Sequence, residues 1–209
     1  MSTEADDRLQ WIYASRGADQ LRERYDVWAA DYDGDLGDLD WRAPQAGATR
    51  CDCFATAGAE ILDAGCGTGL VGVSLAELGR RRLVGIDLSA GMLARSAARG
   101  VYSELHQGSL LDPLPFASGR FGSVVSVGVF THGHVDGSAF AELARVTAPD
   151  GHVTITFRDD AFDELGYRVE QQRLVDAGVW TVAEVTEPMP LLHEAGDDLL
   201  LRAWTWRIL

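Results

Sequence analysis

Between Glu60 and Leu70 the chain reads Glu-Ile-Leu-Asp-Ala-Gly-Cys-Gly-Thr-Gly-Leu, a stretch that few folds accommodate. Ile61-Leu62 is a short apolar run that predicts a buried strand ending at Asp63. A loop with Gly65, Gly67 and Gly69 follows, then a helical pattern from about Leu70 to Leu78. Strand, glycine loop and helix form a nucleotide-binding arrangement. Glycines lack a Cβ and let the backbone approach a ligand closely. The helix N-terminus adds unpaired N–H groups and a partial positive charge. A phosphate loop is excluded, because it needs a Lys after its last glycine and none stands there. A dinucleotide loop counted from Gly65 needs a small residue where the chain has Leu70. What remains is Asp-x-Gly-x-Gly-x-Gly over residues 63–69, an acid opening a loop against which a cation can sit.

The chain has 209 residues, which suits one α/β domain with a short extension. Its 18 basic and 32 acidic residues give a net charge of −14. A nucleic-acid binder carries a basic footprint, so this charge argues against DNA, RNA and anionic membranes as partners. Arg80-Arg81-Arg82 is the sole basic run, and it reads as a solvated helix end leading into a strand. No apolar run approaches the ~20 residues of a membrane span. The acidic N-terminus has no apolar segment of a signal peptide. Cys51, Cys53 and Cys66 are too sparse for a zinc site and read as reduced thiols. Together these point to a cytoplasmic protein.

Residues 7 to 32 read as helical. Leu9, Ile12 and Tyr13 make one apolar stripe, and Leu21, Tyr25, Trp28 and Tyr32 make a second. The second stripe either packs the helix on the domain or covers a ligand as a lid. The acidic run from Asp31 to Asp40, with Gly34 and Gly37, reads as a mobile loop. A short helix precedes Glu60. Strands and helices then alternate, with strands expected at Arg82 to Asp87, Tyr102 to His106, Ser123 to Val127 and His152 to Phe157. Ser89 suits the N-cap of a helix through about Ala98, and Ser138 to Thr147 is helical. Pro149-Asp150-Gly151 is a turn, and a helix from Asp160 to Ala177 ends at Gly178. Trp180 to Glu187 and Leu199 to Ile208 close the chain as an antiparallel pair at one edge. The expectation is a doubly wound, seven-stranded, mostly parallel α/β sheet with an antiparallel C-terminal edge strand. Residues 1–55 are expected to form an N-terminal helical lid, and residues 56–209 the binding domain.

The sequence resembles the class I S-adenosylmethionine-dependent methyltransferases. The resemblance rests on Leu62-Asp-Ala-Gly-Cys-Gly-Thr-Gly69, Val84-Gly-Ile-Asp-Leu-Ser89, Leu114-Pro-Phe116 and Phe121-Gly-Ser-Val-Val125. Tyr25-Asp-Val-Trp-Ala-Ala-Asp-Tyr-Asp33 and Gly128-Val-Phe-Thr-His-Gly-His134 look like a small subgroup that includes the Williams–Beuren region methyltransferase-like proteins. The resemblance covers roughly residues 21 to 160, is specific for fold and ligand, and says little about the acceptor. It implies S-adenosylmethionine as cofactor and S-adenosylhomocysteine as product. It places the Gly65 and Gly67 backbone along the methionine part, Asp63 at its ammonium and Asp87 on both ribose hydroxyls. Leu88 and Met92 would pack on the adenine. Many members carry an Asp after the third strand to accept the adenine amino group. Ser109, followed by Leu110, stands there instead. Val127 or Gly128 would line the site, and Tyr32, with Trp28 behind it, would close over the sulfonium.

Methyl transfer from a sulfonium is an in-line displacement in which the enzyme aligns the nucleophile and excludes water. A hydroxyl or protonated amine needs a base. His132 and His134 follow the fourth strand, at the sheet edge where such folds bind ligands. Each serves either as that base or as a loop hydrogen-bonding group. No third ligand accompanies them, so no metal is expected. The fourth strand lacks the [Asp/Asn]-Pro-Pro-aromatic motif of adenine- and glutamine-methylating relatives. With the charge, this favours a small-molecule acceptor, cationic or neutral, on a monomer or homodimer. The alternatives are a non-methylating enzyme that uses the cofactor for other chemistry or as scaffold, or a cofactor-binding regulatory module.

Overall fold

The computed structural model describes residues 4–190 and 200–209. Four helices come first: α1 (Glu4–Tyr13), α2 (Ala18–Trp28), α3 (Tyr32–Asp38) and α4 (Ala43–Phe54). Then follow β1 (Ile61–Ala64), α5 (Leu70–Glu77), β2 (Leu83–Asp87), α6 (Ala90–Ala98), β3 (Glu104–Gln107) and β4 (Phe121–Phe130). The last part runs α7 (Ala139–Val146), β5 (Thr147–Arg158), α8 (Asp159–Glu164), α9 (Tyr167–Asp176), β6 (Trp180–Val185), β7 (Met189–Pro190) and β8 (Leu200–Ile208).

The strands lie in the order β3-β2-β1-β4-β5-β8-β6, with the two-residue β7 added on β8. β1 to β5 are mutually parallel, and β8 runs antiparallel to both β5 and β6. All four residues of β1 are buried, as a strand covered on both faces requires. The order reverses between β1 and β4, and the crevice at their carboxyl ends is where an open α/β sheet binds its ligand. The C-terminal hairpin closes one edge as expected, with β8 on the inside and β6 outermost. Leu199, expected as the first residue of that strand, lies outside the described residues.

Three stretches differ from the sequence expectation. The helix expected over residues 7 to 32 is broken at Gly17, which sits at φ +84° where a left-handed residue ends regular helix. The acidic run at 31–40 is no loop but contains α3. Its carboxylates find partners that propensity does not register. Asp35 accepts hydrogen bonds from Trp28 Nε1 (2.6 Å) and Arg8 Nη1 (2.8 Å). The helix expected from Asp160 to Ala177 is split at Gly166, φ +77°. The turn at residues 149–151 survives as a left-handed Asp150 (φ +61°) inside β5, next to a shift in the β4–β5 register.

Residues 4–55 do not form one layer. α1 to α3 pack on one another around Ile12, Leu21, Trp28 and Leu36. α4 instead buries Ala43, Ala48 and Cys51 against Val125, Val127 and Leu201 of the sheet. Gly47 allows this closeness, since a Cβ there would meet Val127 Cγ2 at 2.4 Å. α4 thus packs on the sheet, apart from the cluster that α1 to α3 form. On the other side, Phe130, Phe140, Phe157, Tyr167, Trp180 and Trp206 form an aromatic core beneath α7 and α9.

Candidate active site

The glycine loop takes the shape its residues require. Gly65 lies at φ +79°, and a Cβ there would meet Val129 Cγ2 at 2.3 Å. Gly67, at φ +53°, donates its N–H to Asp87 Oδ2 (2.8 Å). The Ser89 N–H donates to Asp87 Oδ1 (2.9 Å). Each oxygen of Asp87 thus holds one backbone donor and keeps acceptor capacity to spare. Burial raises the Asp87 pKa, and the backbone donors oppose that rise.

Around this carboxylate lies a cavity of about 320 Å³. Gly65, Gly67, Asp87, Leu88 and Met92 line it, as do Ser109, Leu110, Val127 and Tyr32. Two other expected residues, Asp63 and Trp28, are not among the lining groups. Asp63 sits behind the loop, 1% exposed. Its Oδ2 accepts the Tyr102 hydroxyl (2.5 Å), while Oδ1 has no hydrogen-bond partner among the described residues. Burial pushes this carboxyl up to about 7, against the pull of the Tyr102 hydrogen bond. Ser109 Oγ accepts the Leu111 N–H (3.1 Å), which holds the hydroxyl at the wall.

A second cavity, of about 180 Å³, lies beside the first. Trp28, Trp41, Thr131 and Arg158 belong to it alone, and Tyr25, Tyr32, Gly128 and His134 line both. His134 Nδ1 is 2.8 Å from the His132 carbonyl oxygen, which can only accept, so Nδ1 carries the proton. Nε2 then accepts the Tyr25 hydroxyl (2.7 Å). Burial lowers the His134 pKa, leaving a neutral imidazole between the cavities. His132 is not brought there. Its ring faces Glu164 at 3.5 Å and lines neither cavity.

The roof of both cavities is tied down by residues that the sequence reading passed over. Asp26 Oδ1 accepts the Ser89 hydroxyl (2.5 Å) and the Gly91 N–H (2.9 Å), fixing α2 to the start of α6. Ser89 still caps α6, accepting the Met92 N–H at 3.0 Å. Gly91 lets the two helices come close, since a Cβ there would crowd Cα and O of Asp26 at 3.1 Å. Asp33 accepts the Thr68 hydroxyl (2.5 Å) and pairs with Arg99, joining α3 to the glycine loop. Tyr25, Asp26 and Asp33 all lie in the resembling segment 25–33, yet nothing local distinguishes them from surface acids and a packing aromatic.

Comparisons with known proteins agree with this geometry. A family profile described as a methyltransferase domain matches residues 62–155. The chain is 37% identical over 209 residues to methyltransferase-like protein 27 of Homo sapiens, spanning 93% of this chain and 82% of the relative. Among solved structures, the putative methyltransferase in complex with the Haloferax volcanii Trm112 activator superposes with a TM-score of 0.66 at 22% identity. That match covers 86% of this chain and 96% of the other. A TehB-like S-adenosylmethionine-dependent methyltransferase from Corynebacterium glutamicum gives 0.65 at 20% identity, over 88% and 99%. These two likenesses concern the fold, and the human relative carries the family. The chain belongs to the class I S-adenosylmethionine-dependent methyltransferases.

Proposed function

We propose that the protein moves the methyl group of S-adenosylmethionine onto a small molecule held in the second cavity. The observation that carries this reading is the pair of cavities meeting at Tyr25, Tyr32, Gly128 and His134. The first cavity suits the cofactor. Gly65 and Gly67 line the cavity with backbone at positive φ, Asp87 has acceptor capacity for a ribose diol, and Leu88 and Met92 offer apolar faces for a base. Once bound, S-adenosylmethionine supplies a methyl group already activated by the sulfonium.

The remaining work falls to this chain's own groups. Asp87 fixes the sugar, and the Tyr32 ring offers its π-face to positive charge. Trp28 and Trp41 wall the acceptor cavity and exclude water. As the acceptor gives up its proton, that proton passes to the Tyr25 oxygen, and the Tyr25 hydroxyl proton moves to His134 Nε2. The imidazolium formed keeps its Nδ1–H on the His132 carbonyl. His134, rather than His132, is thus the proposed base. A net charge of −14 supports a small acceptor over nucleic acid.

The test is incubation with S-adenosylmethionine labelled in the methyl group and a cell extract separated into small-molecule, protein and nucleic-acid fractions. Label is expected in the small-molecule fraction. Label confined to protein or nucleic acid, or a bound cofactor that loses no methyl group, would contradict the proposal.

A further inference from the structure

A chain with net charge −14 should surround its cavities with carboxylates, and the second cavity does the reverse. Among the described residues no carboxylate lines it, and the one ionised side chain that does is Arg158, at the end of β5. Asp160 binds the Arg158 guanidinium from the side, at Nε (3.0 Å) and Nη2 (2.5 Å), and is not itself among the lining groups. Of the pair, only Arg158 lines the cavity, where the Tyr13 hydroxyl of the same wall also bonds it. Thr131 lines the same cavity, is 8% exposed, and its hydroxyl has no hydrogen-bond partner among the described residues. A buried hydroxyl left unpaired costs free energy. The same cavity has planar apolar surfaces, with Trp28 and Tyr32 4.6 Å apart and Tyr32 and Trp41 6.4 Å apart between ring centroids. Arg158 and Thr131 line this cavity only, whereas Tyr25 and His134 line both.

We propose that the methyl acceptor is a small aromatic or unsaturated carboxylate, bound with its carboxylate on Arg158 and its nucleophile turned toward Tyr25. This rests on the methyl-transfer reading and narrows it, replacing the cationic or neutral acceptor that net charge alone suggests. Net charge describes the surface, while recognition is set by the few groups that face the ligand. An anionic acceptor also gains from lying near a sulfonium in a site screened from water.

The test is calorimetry near neutral pH on the full chain saturated with S-adenosylhomocysteine, using benzoate, benzyl alcohol and benzylamine as probes of one shape and three charges. Benzoate is expected to bind about tenfold or more tighter than benzyl alcohol, as a charge-assisted contact allows, with benzylamine weakest. The double variant Arg158→Gln/Asp160→Asn should bring benzoate down to the level of benzyl alcohol, while Arg158→Lys should keep part of the preference. Asp160→Asn alone should tighten benzoate by removing the competing carboxylate, a gain that general damage to the fold would not produce. If benzyl alcohol or benzylamine binds as well as benzoate, if benzoate does not bind, or if the preference survives in the double variant, the carboxylate acceptor is overturned. In each of those cases S-adenosylhomocysteine binding in the same preparation leaves the methyl-transfer reading standing. Failure of S-adenosylhomocysteine itself to bind overturns both.

Discussion

Asp63 and Asp87 are neighbouring carboxylates with different surroundings, and the difference is measurable. Asp87 is held by two backbone N–H groups, whereas Asp63 has one hydroxyl donor and one bare oxygen. Burial raises the Asp63 carboxyl from an ordinary 3.8 to about 7, so between those values the folded protein binds more protons than the unfolded chain. Stability from this group is fully present below about pH 4 and is lost as pH rises through about 7. The ceiling for a shift of about three units is ~4 kcal/mol. His134 works the other way, since its lowered pKa means stability lost as pH falls below its unfolded value. Chemical denaturation of the ligand-free protein from pH 4.5 to 8 therefore needs the Asp63→Asn variant for comparison. The variant is expected to gain on the wild type as pH rises, and a pH-independent difference would contradict a buried, strained carboxylate. Nitrogen-15 NMR is expected to find His134 as the Nδ1–H tautomer, titrating below ~6.5, with Nε2 shifted in Tyr25→Phe. An Nε2–H tautomer would rule out the relay. The glycine loop and Asp87 were legible because their demands are local. The Tyr25–His134 pair was not, since 109 positions separate its members and only folding brings them together.

At the scale of elements, the roof over the site depends on a few directed contacts. Asp26 joins α2 to α6, and Asp33 joins α3 to the loop between β1 and α5. Asp26→Ala removes the acceptor of the Gly91 N–H and the Ser89 hydroxyl, a loss of about 1–2 kcal/mol by analogy with helix caps. Amide exchange in α1 to α3 is expected to quicken in this variant while β1, β4 and β5 stay protected, and an equal loss throughout would mean the roof is no separate unit. This region is also where sequence reasoning went furthest astray. Gly34 and Gly37 among five aspartates suggest a loop, and α3 forms because Trp28, Arg8 and Thr68 supply partners from elsewhere. Alternating strands and helices were readable from apolar runs, because β1, β2 and the core of β4 are buried almost throughout. Helix breaks at Gly17 and Gly166 were marked by the glycines themselves, whose left-handed conformation is not visible in an apolar stripe.

For the whole molecule, the sheet divides stability from function. The aromatic core under α7 and α9 lies on the far side of β4 and β5 from α4 and centres on Phe140, which touches Phe130, Phe157, Tyr167, Trp180 and Trp206. Phe140→Ala is expected to cost about 3–5 kcal/mol, seen as a lower denaturation midpoint, with cofactor affinity retained in the fraction that folds. We propose that the crevice at the switch between β1 and β4 carries the function, with the cavity around Asp87 as its central element. Calorimetric titration with S-adenosylhomocysteine of the wild type and of Asp87→Ala tests this most directly. One site per chain is expected in the wild type. In the variant, loss of the ribose acceptor should weaken binding by about tenfold to a hundredfold, at an unchanged circular dichroism spectrum. Equal affinity in the two proteins, or no binding to the wild type, would contradict the placement of the cofactor in this cavity.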